Sequence, residues 1–135
     1  MRRLLLACAS IALIACGGSD STGPAAKAEG TWNLSTINGR ALPITLGTDQ
    51  SGATVEILDD QYILNADGTW TESFTTRATQ GTTVTTTPDT DTGTWTLQGN
   101  QVEITTTGGD SFTGTISNNS ITIGSQYGPV VYVRQ

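Results

Sequence analysis

Few side chains in this chain could do covalent or acid–base chemistry. There are two cysteines, Cys8 and Cys16, and no histidine. Beyond residue 16 neither type occurs, so Ser-His-Asp and Cys-His arrangements and metal sites built on thiolate or imidazole are excluded from the rest of the sequence. Carboxylates remain. Asp59-Asp60 and Asp89-Thr90-Asp91 could offer oxygens to a hard cation such as Ca²⁺, yet neither has the ligand spacing of a calcium loop, and turn or solvation roles suit them better. Glu56, Glu72 and Glu103 alternate with apolar neighbours and are expected to face water, which leaves no inward carboxylate pair of the kind a glycosidase uses. The sequence therefore predicts no catalytic residue, no metal ligand and no cofactor, and a protein that is not an enzyme.

The chemistry of Cys16 is of another kind. Arg2 and Arg3 precede an apolar run from Leu4 to Ala15, the pattern of a signal peptide. As a helix that run would reach only about 18 Å, short of the roughly 30 Å hydrocarbon core of a bilayer. Leu13-Ile14-Ala15-Cys16 resembles the bacterial lipobox, in which the cysteine thiol receives diacylglycerol; Leu6-Ala7-Cys8 fits more loosely and too early in the apolar run. Residues 1–15 are thus expected to be a lipoprotein signal peptide and Cys16 the lipidated first residue of the mature chain. Residues 16–29, GGSDSTGPAAKAE after the cysteine, are expected to be a flexible tether. Several acyl chains hold far more firmly than one, so the membrane is the first expected partner. Gly17 stands where an aspartate commonly retains a lipoprotein at the inner membrane, which favours the outer membrane of a Gram-negative host.

Those residues must be carried by a fold that the remaining composition restricts. Twelve Asp and Glu against six Lys and Arg give a formal charge of −6, the wrong sign for neutralising phosphates, and nucleic acid is not an expected partner. Threonine crowds the stretch from Thr69 to Thr122, and 16 glycines accompany it, a vocabulary of strands and turns. Apolar residues recur with period two over Gly30–Ile37, Thr54–Leu58, Gln61–Asn65, Thr69–Thr79, Gly93–Gln98, Gln101–Thr107, Ser111–Ser117, Ser120–Gly124 and Pro129–Arg134. Between the later ones lie Ala66-Asp67-Gly68, Gly99-Asn100, Gly108-Gly109-Asp110 and Asn118-Asn119, turn sequences suited to hairpins. Residues 30–135 are predicted to form an all-β antiparallel meander of eight to ten strands, closed as a barrel because an open sheet would expose two edges. A domain of this size buries roughly two-thirds of its unfolded surface without disulfides, and the expectation is a monomer.

The run of motifs also resembles a family. Gly30-Thr31-Trp32, the Asn38-Gly39 turn with Leu42-Pro43 after it, NADGTW from Asn65 to Trp70, GTWTLQGNQVEIT from Gly93 to Thr105 and the closing VVYVR look like the lipocalin-like domains of small bacterial lipoproteins, over Gly30 to Arg134. The resemblance implies that Trp32 plugs the closed end of a barrel and that Arg134, from the last strand, lies across it. Such a cation over an indole is worth about 0.5–2 kcal/mol and is structural.

Two irregular stretches could bear function. The 16-residue connection Asn38–Ala53 is long and apolar, and in the lipocalin-like reading it resembles a lid whose Leu42, Ile44 and Leu46 face a cavity lined also by Tyr62, Trp70, Phe74 and Trp95. A plug that completes the core is the alternative. The second stretch is the threonine-rich hairpin of residues 69–92, read as a solvated extension beyond the barrel. Two functions follow: an envelope-anchored module binding a small apolar or amphipathic ligand, or a structural or protein-interaction module of the envelope with a filled barrel.

Overall fold

The computed structural model describes residues 28–135. The expected signal peptide, Cys8, Cys16 and nearly all of the tether lie outside the described residues. The elements are β1 (Gly30–Ile37), β2 (Arg40–Ala41), β3 (Ile44–Thr48), β4 (Thr54–Leu64), β5 (Thr69–Gln80), β6 (Thr83–Gln98), β7 (Gln101–Thr106), β8 (Ser111–Ser117), β9 (Ser120–Ser125) and β10 (Gly128–Arg134). Each strand from β3 to β10 pairs antiparallel with the next, β10 pairs with β1, and β1 pairs with β4. The last pairing closes β1 and β4–β10 into an eight-stranded up-and-down barrel, so the predicted meander and closure both hold.

Two strand candidates become one. Thr54–Leu58 and Gln61–Asn65 were expected as separate strands because the inward phase switches from Val55 and Ile57 to Tyr62 and Leu64. In the structure β4 runs unbroken through both, and the register slips between Ile57 and Asp59. A β-bulge adds one residue to one strand of a pair and so changes which parity faces inward. Asp59-Asp60 is therefore not a turn. Ile57 stands opposite Thr76 and Asp60 opposite Phe74, and both Ile57 and Asp60 line the barrel mouth. A second slip, between Leu34 and Thr36 on β1, likewise brings both Leu34 and Ile37 into the core.

The connection Asn38–Ala53 is not one irregular loop. Above Asn33 and Gln61 the walls β1 and β4 no longer pair with each other; β2 pairs with β1 and β3 with β4 to cover the parted edges. Ile44 is buried, and Leu42 and Leu46 pack against the core. Two residues of the stretch expected as a tether, Ala28 and Glu29, are among the described residues. Ala28 is fully buried, and its carbonyl accepts a 2.8 Å hydrogen bond from the Trp32 indole N–H.

The closed end is built on Trp32, 0% exposed, with the Arg134 guanidinium 4.3 Å from its ring centroid and donating to the Glu29 carbonyl. Gly30 admits that arginine: its φ is +132°, and a Cβ there would lie 2.7 Å from an Arg134 nitrogen. Gly93 has a stricter duty where β6 turns from β5 onto β7. A Cβ at Gly93 would sit 2.0 Å from the Thr105 carbonyl oxygen and 2.9 Å from Thr106 Cα. Backbone cannot yield as a side-chain tip can, so Gly93→Ala is expected to cost about 3 kcal/mol, the upper part of the usual overpacking range. A urea melt checks it; a loss under 1 kcal/mol would mean the two strands do not approach this closely.

β5 stays paired with β4 as far as Thr79 and with β6 up to the turn at Gly81-Thr82, so the outer half of β6 is the free edge of this extension. Residues 81–90 are all exposed, and β6 starts to pair with β7 only at Gly93. The strand expected at Gly93–Gln98 is thus the second half of a longer one, and its first half is water-facing.

Candidate ligand-binding site

Where the barrel opens, opposite Trp32, the inward residues leave a cavity of ≈ 350 Å³. Its sides are apolar: Ile37 from β1, Leu46 from β3, Ile57 from β4, Ile123 from β9 and Val130 from β10. Its floor is aromatic. Tyr62 and Tyr132 stack with centroids 4.1 Å apart, and Phe112 tilts against Tyr62 at 6.4 Å. Beneath them Trp70, 1% exposed, meets Tyr62 edge-on at 5.4 Å. The lining needs no special sequence pattern beyond alternation, since Val130 and Tyr132 have the same parity as Arg134 and continue its inward row.

One residue of the lining carries a carboxyl. Asp60 is 6% exposed, and its Oδ2 accepts a 2.7 Å hydrogen bond from the Tyr132 hydroxyl. Its Oδ1 is buried with no hydrogen-bond donor, and the Trp70 indole N–H in the layer below is buried with no acceptor. Unsatisfied atoms of this kind are uncommon in folded proteins and call for a cause. Asp60 has carboxylate company. Directly opposed residues of an antiparallel pair share a face, and the register places Asp60 opposite Phe74 and Phe74 opposite Asp89; one step deeper, Tyr62 opposes Glu72 and Glu72 opposes Asp91. Glu72 therefore points inward. The expectation that it faces water is corrected: it shares parity with Trp70 and Phe74, and the pleat overrides its preference for solvent. The premise that the interior holds no carboxylate cluster falls with it.

Burial raises the Glu72 carboxyl to about 8, helped by the charges of Asp60 and Asp91. Burial likewise raises Asp60 to about 6, against the opposing effect of the Tyr132 hydrogen bond. The two carboxyls are close enough to share a proton. Desolvation pushes the phenols of Tyr62 and Tyr132 far above their ordinary value, so both stay neutral donors. Among the described residues no group of three or more His, Cys, Asp or Glu side chains is arranged to hold a metal ion.

A family model described as a lipocalin-like domain matches residues 29–123. This chain belongs to the lipocalin-like domain family. No curated protein matches the chain. Among solved structures, that of the Cpx pathway activator NlpE from Escherichia coli is similar at 14% identity with a TM-score of 0.44, covering 73% of this chain, while this chain spans 43% of that one.

In this lipocalin-like barrel the cavity gathers some of the residues singled out from the sequence and leaves others apart. Leu46 and Tyr62 line it. Ile44 is buried in the core and borders a smaller recess beside Leu46; Leu42 packs on the core. Phe74 is half-buried on β5 across from Asp60, and Trp70 lies under Tyr62. Trp95 does not reach the cavity. It stands two residues past Gly93, toward the closed end, where its indole N–H donates 2.9 Å to the Asn65 carbonyl in the β4–β5 turn. Asp60, Phe112, Val130 and Tyr132 were missed. Alternation within VVYVR could have found Val130 and Tyr132; the bulge hid Asp60.

Proposed function

We propose that this lipocalin-like barrel holds a small apolar or amphipathic molecule at its mouth, while the lipid on Cys16 tethers it to the cell envelope, at the outer membrane of a Gram-negative host. The observation that carries the reading is the cavity of ≈ 350 Å³ with apolar sides, an aromatic floor and a single carboxyl. That volume falls at the low end of the range for small-molecule pockets, about 300–1,000 Å³, and a mainly apolar lining with a few polar groups suits holding and orienting a small molecule. The barrel acts as a monomer, its contacts the bilayer and the ligand; its acidity disfavours nucleic acid. The tether follows from the charged, apolar and lipobox-like run that ends at Cys16.

A second reading, an envelope module that meets other proteins, is favoured by the filled lower half, where Trp32, Leu64, Trp70, Val102, Ile104 and Ile121 are almost wholly buried. Native mass spectrometry of the protein extracted from its own membranes separates the two. The expected spectrum shows an amino-terminal Cys16 bearing acyl chains and, in gentle conditions, a co-purifying species of a few hundred daltons that Val130→Trp abolishes. Bare protein from wild type and variant alike would favour the second reading, and an unmodified Cys16 would remove the tether.

A further inference from the structure

We propose that the inward carboxylates of β4, β5 and β6, Asp60, Glu72 and Asp91, are a headgroup site for a cationic amphiphile, a primary alkylammonium whose tail lies in the cavity. The inference rests on the ligand-binding reading above and adds the chemical class of the ligand. Three observations carry it.

The first is the buried orphan. Asp60 is more than nine-tenths buried, Tyr132 occupies its Oδ2, Oδ1 has no hydrogen-bond donor, and Glu72 is its carboxylate neighbour. An ammonium brings three donors and a positive charge, and its bonds to carboxylates are of the strong, charge-assisted kind. The second is that no cation among the described residues faces the carboxylates; Arg40 is exposed on β2. Arg77 pairs with Glu56 at 2.8 Å, and both have the parity of β5 and β4 that faces away from Glu72; Arg134 lies over Trp32 at the far end. The groups that face Glu72 are acids and phenols: Asp60 and Tyr62 on β4, Asp89 and Asp91 on β6, Tyr132 on β10. The third is continuity. Asp60 belongs at once to the carboxylate cluster and to the lining of an apolar cavity, so a charged head and an aliphatic tail can be held together. Glu72 is only half-buried, which lets its side chain give way to the head.

An ammonium at this site replaces the proton the carboxyls share, so its binding releases a proton and strengthens as pH rises. A neutral or anionic head gains nothing there, and an anionic one is repelled.

Isothermal titration of the full-length protein with decylamine, decanol and decanoate, all below their micelle concentrations, tests the site. Spermidine serves as a cation without a tail. The expected order at pH 7.5 is decylamine at least about tenfold tighter than decanol, the usual worth of one charge-assisted hydrogen bond, with decanoate weakest and spermidine not saturable. The amine's advantage should grow from pH 6 to pH 9. Glu72→Gln, at a position outside the cavity lining, should bring decylamine down to the affinity of decanol and leave decanol unchanged; Asp60→Asn should likewise lower the ratio of amine to alcohol affinity. Equal binding of amine and alcohol would overturn the headgroup site and leave the cavity reading standing. Spermidine binding as tightly as decylamine would show a surface attraction and overturn it too. If no compound with a ten-carbon tail binds, the cavity reading itself fails.

Discussion

Trp32→Ala should cost about 3–5 kcal/mol, which in a domain of this size lowers Tm by roughly 15–25 °C. Trp32 is 0% exposed at the end of the barrel where Gly30, Leu64 and Arg134 come together. Removing the indole opens a cavity that cannot collapse, since the eight strands around it are hydrogen-bonded into a ring. It also strands two partners. The Ala28 carbonyl loses its 2.8 Å donor, and the Arg134 guanidinium loses the ring beneath it. Trp32→Phe keeps the ring and loses the hydrogen bond, so it should fall between wild type and alanine. Arg134→Met keeps most of the packing and should cost only about 0.5–2 kcal/mol. Urea unfolding of the four proteins checks the order. A Trp32→Ala loss below that of Arg134→Met would mean that the closed end is not where the barrel is held.

Stability should fall as pH rises from 5 to 9, the reverse of the usual acid-side loss. Asp60 and Glu72 have folded-state values raised to about 6 and about 8, chiefly by burial. A carboxyl raised in the folded state keeps its proton there after the unfolded chain has lost it. Across the window from about pH 4.5 to 8 the native state therefore binds more protons, and its stability declines with pH. The carboxyls lowered in the fold, Asp49 through the Ser51 hydroxyl and Asp67 through the Thr69 hydroxyl, act with the opposite sign, and only below their ordinary value of 3.8. They leave the window from 5 to 9 to the inward pair. With allowance for the water that reaches half-buried Glu72, the loss is on the order of 2 kcal/mol, or a Tm about 10 °C lower at pH 9 than at pH 5. Glu72→Gln should flatten the slope and raise Tm at pH 9, because a neutral amide can donate to Asp60 Oδ1. Differential scanning calorimetry of both proteins at five pH values measures it. A flat wild-type profile, or a variant as steep as wild type, would show that the carboxyls are solvated instead of packed together.

That cost in stability is itself informative. A chain under no demand at this position could hold threonine or valine at residue 72, as it holds threonine at Thr76 two pairs along the same inward row. Sites that bind often retain groups that folding alone would discard.

The barrel was legible because its evidence is local. Period-two rows such as Trp32 with Leu34, Val102 with Ile104 and Ile121 with Ile123, separated by Asn- and Gly-rich turns, specify inward faces and antiparallel neighbours without any long-range information. The mouth was less legible for three physical reasons. The bulge between Ile57 and Asp59 adds a residue, and no propensity marks where the phase slips. Glu72 reads as alternating with apolar neighbours, whereas it has the parity of Trp70 and Phe74, the inward row of β5. Asn38–Ala53 looked like a loop because β2 has two residues and β3 five, each folded back on its neighbour in sequence and too short to show an apolar period. The aromatic floor has the same character: Tyr62, Phe112 and Tyr132 meet only once β4, β8 and β10 are brought around the ring.

The claim on which the functional reading depends is that the barrel mouth is open and apolar over Tyr62 and Tyr132, while the opposite end is solid. The most direct measurement is a decanol titration of the ¹⁵N-labelled protein followed by two-dimensional NMR. The account predicts saturable shifts in the amides of Ile37, Leu46, Ile57, Phe112 and Val130, with those of Trp32, Trp95 and Arg134 unmoved. Shifts that grow without saturating, or that gather at the Trp32 end, would contradict it.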